Sequence, residues 1–122
     1  MKYKLTIAII VTVLLIGGGI FETIFVEETF STFGSMVSEL AKSEEYDLEE
    51  VKSVGKYWEE KADLLEITIP HVQLTEITVT YGELVGAVRN EDYDSASALL
   101  LRIQQYVVRI GSLYGFSARN II

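Results

Sequence analysis

The chain has 122 residues, 49% of them apolar, with no cysteine and with 10 basic against 18 acidic side chains, a net charge of −8. That length holds one compact domain plus an appendage. The acidic balance disfavours nucleic acid as a partner, and the lack of cysteine excludes disulfides, thiolate metal sites, cysteine nucleophiles and a lipoprotein anchor.

The first predicted element is the uncharged run of residues 5–21, LTIAIIVTVLLIGGGIF. At about 1.5 Å per helical residue it covers roughly 25 Å, slightly less than a bilayer core of about 30 Å. Lys4 can snorkel at one end, and Ile24, Phe25 and Val26 extend the apolar contact past Glu22 at the other. Lys2 and Lys4 precede the run; all acidic residues follow it, leaving 8 basic against 18 acidic side chains beyond residue 21, net −10. The positive-inside rule then puts the N-terminus in the cytoplasm and the rest of the chain outside. The expected division is an N-terminal membrane anchor over residues 1–21 and an acidic, helical, extracytoplasmic domain over residues 22–122. A cleaved signal peptide would share the basic start and apolar centre, with Gly17-Gly18-Gly19 as small residues near a cut. Against it, no A-x-A-like site is present and helical spacing resumes at Phe21. The three glycines suit either close approach by another membrane helix or a flexible outer end of the span.

Helical spacing governs the remainder. Val26, Phe30, Phe33, Val37 and Leu40 form a first stripe, continuous with the anchor. The charged break Ser43-Glu44-Glu45-Tyr46-Asp47 follows, with Asp47 and Glu50 as a capping box for the next helix. Val51, Val54, Trp58, Ala62 and Leu65 form the second stripe. Pro70 suits the first turn of a third helix, whose stripe is Leu74, Ile77, Tyr81, Leu84 and Val88. Thr75 to Thr80 (TEITVT) is β-prone by composition, but the helical spacing around it outweighs that. A second polar break, Asn90-Glu91-Asp92-Tyr93-Asp94, precedes a fourth stripe of Ala96, Leu100, Ile103, Val107, Ile110 and Tyr114. The two breaks lie 47 residues apart, and each combines acidic residues, a tyrosine and an aspartate N-cap. The expected fold is all-α: a transmembrane helix running into an antiparallel bundle of about four helices, arranged as two helical hairpins.

The order of these features resembles a family. A hydrophobic anchor is followed by Trp58 and Lys61, then His71 opening a helix, then the Asp92-Tyr93 turn with Ala96, then Ser117-x-x-Asn120-Ile121. This pattern is similar to the bacterial DUF4363 family and covers essentially the whole chain. The resemblance implies an all-helical, membrane-anchored protein and no reaction.

Candidate chemistry is sparse. His71 is the single histidine and lacks a second ligand or nucleophile partner, so a turn or packing role is expected. The acidic clusters do not follow an EF-hand pattern and suit helix N-termini. Trp58 fits the core stripe, whereas Tyr57 beside it could mark a partner surface. No G-x-S-x-G elbow or phosphate loop is present. Tyr57, Trp58 and His71 are therefore the candidate interaction residues; no catalytic, metal or cofactor-binding residue is assigned, and no enzyme is expected. The leading expectation is a single-pass interaction module that binds another membrane or envelope protein. Its alternatives are self-assembly along a coiled-coil seam on the first helix, and a cation or small-ligand sensor built on the acidic turns or around His71.

Overall fold

The computed structural model describes residues 2–43 and 45–113. Glu44, Tyr114 and the Ser117, Asn120 and Ile121 pattern lie outside the described residues. The rest forms four helices: α1 (Lys2–Lys42), α2 (Leu48–Leu65), α3 (His71–Arg89) and α4 (Tyr93–Leu113).

Each stripe becomes one wall of a single core. Val26, Phe30, Phe33, Val37 and Leu40 of α1 are all buried, as are Val51, Val54, Trp58 and Leu65 of α2, with Ala62 packed at the margin. Leu74, Ile77, Tyr81, Leu84 and Val88 supply the α3 wall; Ala96, Leu100, Ile103, Val107 and Ile110 supply the α4 wall. Each helix packs on its neighbours in sequence, and α4 closes the ring against α1. The result is an up-down-up-down bundle of two helical hairpins. Diagonal partners meet through side chains, as where Phe33 of α1 lies 6.2 Å from Tyr81 of α3, ring centre to ring centre.

The β-prone segment is helical because the core claims its Ile77 and because its threonines bond backward along the helix. Thr78 Oγ1 donates to the Leu74 carbonyl at 3.1 Å, and Thr80 Oγ1 to that of Glu76 at 2.7 Å. Pro70 is the N-cap residue of α3 and not its first helical residue. Asp47 caps α2 by accepting from the Glu49 N–H at 3.2 Å, but no reciprocal bond from Glu50 completes the capping box among the described residues. Close packing of α2 on α3 depends on Gly55: a Cβ there would stand 2.6 Å from the Tyr81 ring. The Tyr81 hydroxyl donates to the Val51 carbonyl, and burial pushes its phenol well above the usual range, so it stays a donor at any physiological pH.

The two acidic turns meet at one end of the bundle. The Tyr46 and Tyr93 rings pack edge to face at 5.7 Å, and Tyr46 Oη lies 2.7 Å from Ser97 Oγ. The aspartate capping α4 is Asp92, two residues ahead of the one that the 47-residue repeat aligns with Asp47. It accepts from the Ser95 N–H and Oγ, and these bonds hold its carboxyl below the ordinary value. The preceding helix ends in a Schellman arrangement: Asp92 N–H donates to Ala87 O at 2.8 Å and Glu91 N–H to Val88 O at 3.1 Å. Glu91 sits at the left-handed position with φ 58°. A side chain there costs about 1–2 kcal/mol relative to the right-handed region. Glu91→Gly is therefore expected to stabilise the bundle by up to about 1 kcal/mol, once the extra chain entropy of glycine is set against the relief. A rise in the denaturant midpoint at unchanged slope would show it; a fall would mean the Glu91 side chain is held by contacts that outweigh its backbone strain.

The uncharged part of α1 projects beyond the core. Residues 3–21 are exposed throughout, and the first buried residue is Val26. The helix runs unbroken through the glycines, so Gly17, Gly18 and Gly19 are helical. The arm is about 28 Å long by helical rise, and α1 is the one helix among the described residues long and apolar enough to cross a membrane. Thr12 Oγ1 donates to the Ala8 carbonyl at 2.8 Å, and Thr23 Oγ1 to Gly19 at 2.9 Å, so these hydroxyls are satisfied within the helix itself.

Candidate functional site

The end of the bundle nearest the apolar arm is built by α1 and the α2–α3 turn. Residues 66–69 fold tightly back on α2, with the Ile69 N–H donating to the Leu65 carbonyl at 2.8 Å. Ile69 is fully buried and plugs the end of the core. Ile67, two residues earlier, is 78% exposed, and the neighbouring Leu64 is 53% exposed. Thr68 Oγ1 donates to the Glu22 carboxylate, tying this turn to the first acidic residue after the uncharged run. A groove of about 530 Å³ opens between the turn and the arm, with Leu64, Ile67 and Thr68 on one wall and Leu14, Leu15 and Gly18 on the other.

Two polar contacts surround it. His71 Nδ1 lies 2.6 Å from Glu66 Oε1, across the turn, with both side chains substantially exposed. Such a surface pair contributes little to stability. Lys61 Nζ stands 5.8 Å from the ring centres of both Phe25 and Tyr57. That is cation–π range.

A second groove, about 420 Å³, runs between α1 and α4 along Gly34, Ser38, Gln104, Val107 and Val108. Gln104 Nε2 donates to Ser38 Oγ across it at 3.3 Å. On the outer side of α4, Leu101 and Val108 are exposed apolar residues at helical spacing.

The three residues singled out from the sequence do not form one site. His71 is at the turn, paired with Glu66. Tyr57 is half-buried beneath Lys61. Trp58 is only 1% exposed, wedged against Phe33 and Phe30, with Nε1 donating to Thr78 Oγ1 at 2.9 Å. Trp58 is therefore a core residue and offers no docking surface, for the reason its stripe position gives. Among the described residues no group of three histidine, aspartate or glutamate side chains is placed to hold a metal ion. Asp47 and Asp92 of the acidic turns are engaged in capping.

No family model matches the chain, and no curated protein or solved structure matches it. The residues that sequence reasoning passed over are Leu64, Ile67 and Thr68 at the turn, and Gly34 of α1 with Gln104 and Val108 of α4 along the second groove. Ile67 carried a signal: it is an apolar residue off the α2 stripe, next to the break at Pro70.

Proposed function

We propose that the chain is a non-enzymatic interaction module: α1 crosses a bacterial cell membrane, its N-terminus in the cytoplasm, and the acidic bundle on the outer face binds another membrane or envelope protein. We take the resemblance to DUF4363 in the same sense. The observation that carries this reading is the unbroken α1, exposed and apolar over residues 3–21 and built into the core from Val26 to Leu40. A bundle joined to its anchor without a hinge presents its faces at a fixed height and rotation, which suits docking on a neighbour in the same membrane. Lys2 and Lys4 set the orientation, and the net −10 of the remaining chain favours a basic partner surface.

Self-assembly along the α1 stripe is unsuited to this fold. Its Phe30, Phe33, Val37 and Leu40 already face the bundle's own core, so the coiled-coil seam expected from their spacing is occupied. A second copy would have to pack through the apolar arm.

Photo-crosslinking in intact cells tests the reading. A photoreactive residue at Val108, on the rim of the α1–α4 groove, is expected to give a discrete adduct with a different protein, absent when the same residue replaces exposed Asp94. Adducts between copies of the chain alone would replace the proposal with self-assembly.

A further inference from the structure

The uncharged run of α1 is about 25 Å long, short of a hydrocarbon core of about 30 Å. Short spans are accommodated by thinning the bilayer, by snorkelling of flanking residues or by oligomerising, which sets further apolar contacts beside them. The structure supplies such contacts at one height. Ile67 and Leu64 share a groove with Leu14, Leu15 and Gly18, which lie one to two helical turns on the membrane side of Glu22. The Thr68–Glu22 hydrogen bond fixes that height. At the same end Val72, in the first turn of α3, is 72% exposed. Arg109 of α4 pairs with Glu76 of α3 at 3.1 Å, so one further turn along each antiparallel helix brings exposed Leu113 level with Val72. Leu64, Ile67, Val72 and Leu113 are thus exposed large apolar side chains at the end of the bundle from which the arm projects. The polar groups among them are arranged for a headgroup layer: Glu22 accepts from Thr68, Glu66 faces His71, and Lys61 covers Phe25.

We infer that the α2–α3 turn is a second membrane contact, with Leu64, Ile67 and Val72 inserted among the outer-leaflet lipid chains and lipid filling the groove between Ile67 and α1. The inference rests on α1 spanning the bilayer. Lipid is the occupant because the groove's other wall is the span itself: any depth that buries Leu14 and Leu15 in hydrocarbon immerses Ile67 beside them. Insertion extends the apolar band outward past Glu22, making good the shortfall of the span. It also gives the bundle a second point of attachment, which fixes its tilt as well as its height.

The chain has no cysteine, so single nitroxide labels can be placed without background. The full chain in phosphatidylcholine vesicles would carry a label at Leu14→Cys, Ile67→Cys, Val72→Cys or Asp94→Cys, with helix content checked by circular dichroism. Collision with oxygen and with a water-soluble nickel chelate reads depth. Labels at 67 and 72 are expected to lose nickel collision and keep oxygen collision, as at 14, whereas 94 collides freely with nickel. Nickel access at 67 with 14 still protected would overturn the insertion and leave the span standing. Nickel access at 14 would remove both. Loss of both relaxants at 67 would mean that a second copy of the chain, not lipid, covers the turn, and would overturn the inference.

Discussion

Replacing Trp58 with alanine is expected to cost the bundle about 3–5 kcal/mol, against the roughly 5–15 kcal/mol that holds a domain together. The indole is the largest fully buried side chain and sits where three helices converge. Its ring centre lies 4.7 Å from Phe33 and 5.8 Å from Phe30, both on α1, while its Nε1 donates to Thr78 on α3. Truncation therefore leaves a cavity between α1 and α2 and removes the only polar bond that Trp58 makes across to α3. Trp58→Phe separates the two effects. It keeps an aromatic ring against Phe33 and loses the hydrogen bond, and Thr78 Oγ1 still donates to the Leu74 carbonyl, so no buried hydroxyl is orphaned. That variant is expected to lose about 1–2 kcal/mol. Denaturant titration of the full chain in detergent micelles, followed by circular dichroism, checks both values. The arm stays helical in the micelle, so the transition is read on the signal that the bundle loses. A Trp58→Ala cost below about 1 kcal/mol would show that the core collapses into the space and that Phe33, not Trp58, is the central ring.

Why the core was legible and the candidate surface was not follows from how each is written in the chain. Core positions recur at three and four residues because a helix turns every 3.6, and one buried wall per helix leaves no other assignment for Phe30, Ile77 or Ile103. The β-prone threonines did not mislead because Leu74, Ile77 and Tyr81 around them keep helical spacing, and Thr78 and Thr80 satisfy themselves along the helix. The kinship of the two acidic turns was also legible, since both carry a tyrosine at the same offset. That the tyrosines touch was not, because Tyr46 lies outside α2 whereas Tyr93 is the first residue of α4. The surface around Ile67 depends on a tertiary fact, namely that the α2–α3 turn folds against Glu22. No local pattern encodes that contact: Thr68 and Glu22 are 46 residues apart. Trp58 and Tyr57 show the opposite case, a difference that the spacing does encode. Adjacent on one helix, they differ in burial because only one of them falls on the stripe.

Inserting two alanines between Gly19 and Ile20 is expected to abolish the photo-adduct from Val108. Two helical residues turn everything downstream by about 200° and lift it by about 3 Å. The insertion leaves the bundle intact, since the first buried residue is Val26 and the Thr68–Glu22 bond lies wholly on the bundle side. Unfolding midpoints should match those of the parent chain. What changes is the face that the bundle presents relative to the membrane helix. A partner that contacts both the membrane helix and the α1–α4 groove can no longer meet them together. Four alanines turn the bundle by about 400°, only about 40° from its starting phase, and lift it by about 6 Å. The four-residue variant should therefore recover part of the adduct that the two-residue variant loses. Recovery with phase is the signature of a rigid coupling through α1, because a flexible joint at the glycines would absorb both insertions equally. If the adduct persists unchanged in the two-residue variant, the partner docks on the bundle alone and takes no bearing from the span. The module would then bind an envelope protein outside the bilayer, and the continuity of α1 would serve only to hold the bundle close to the membrane.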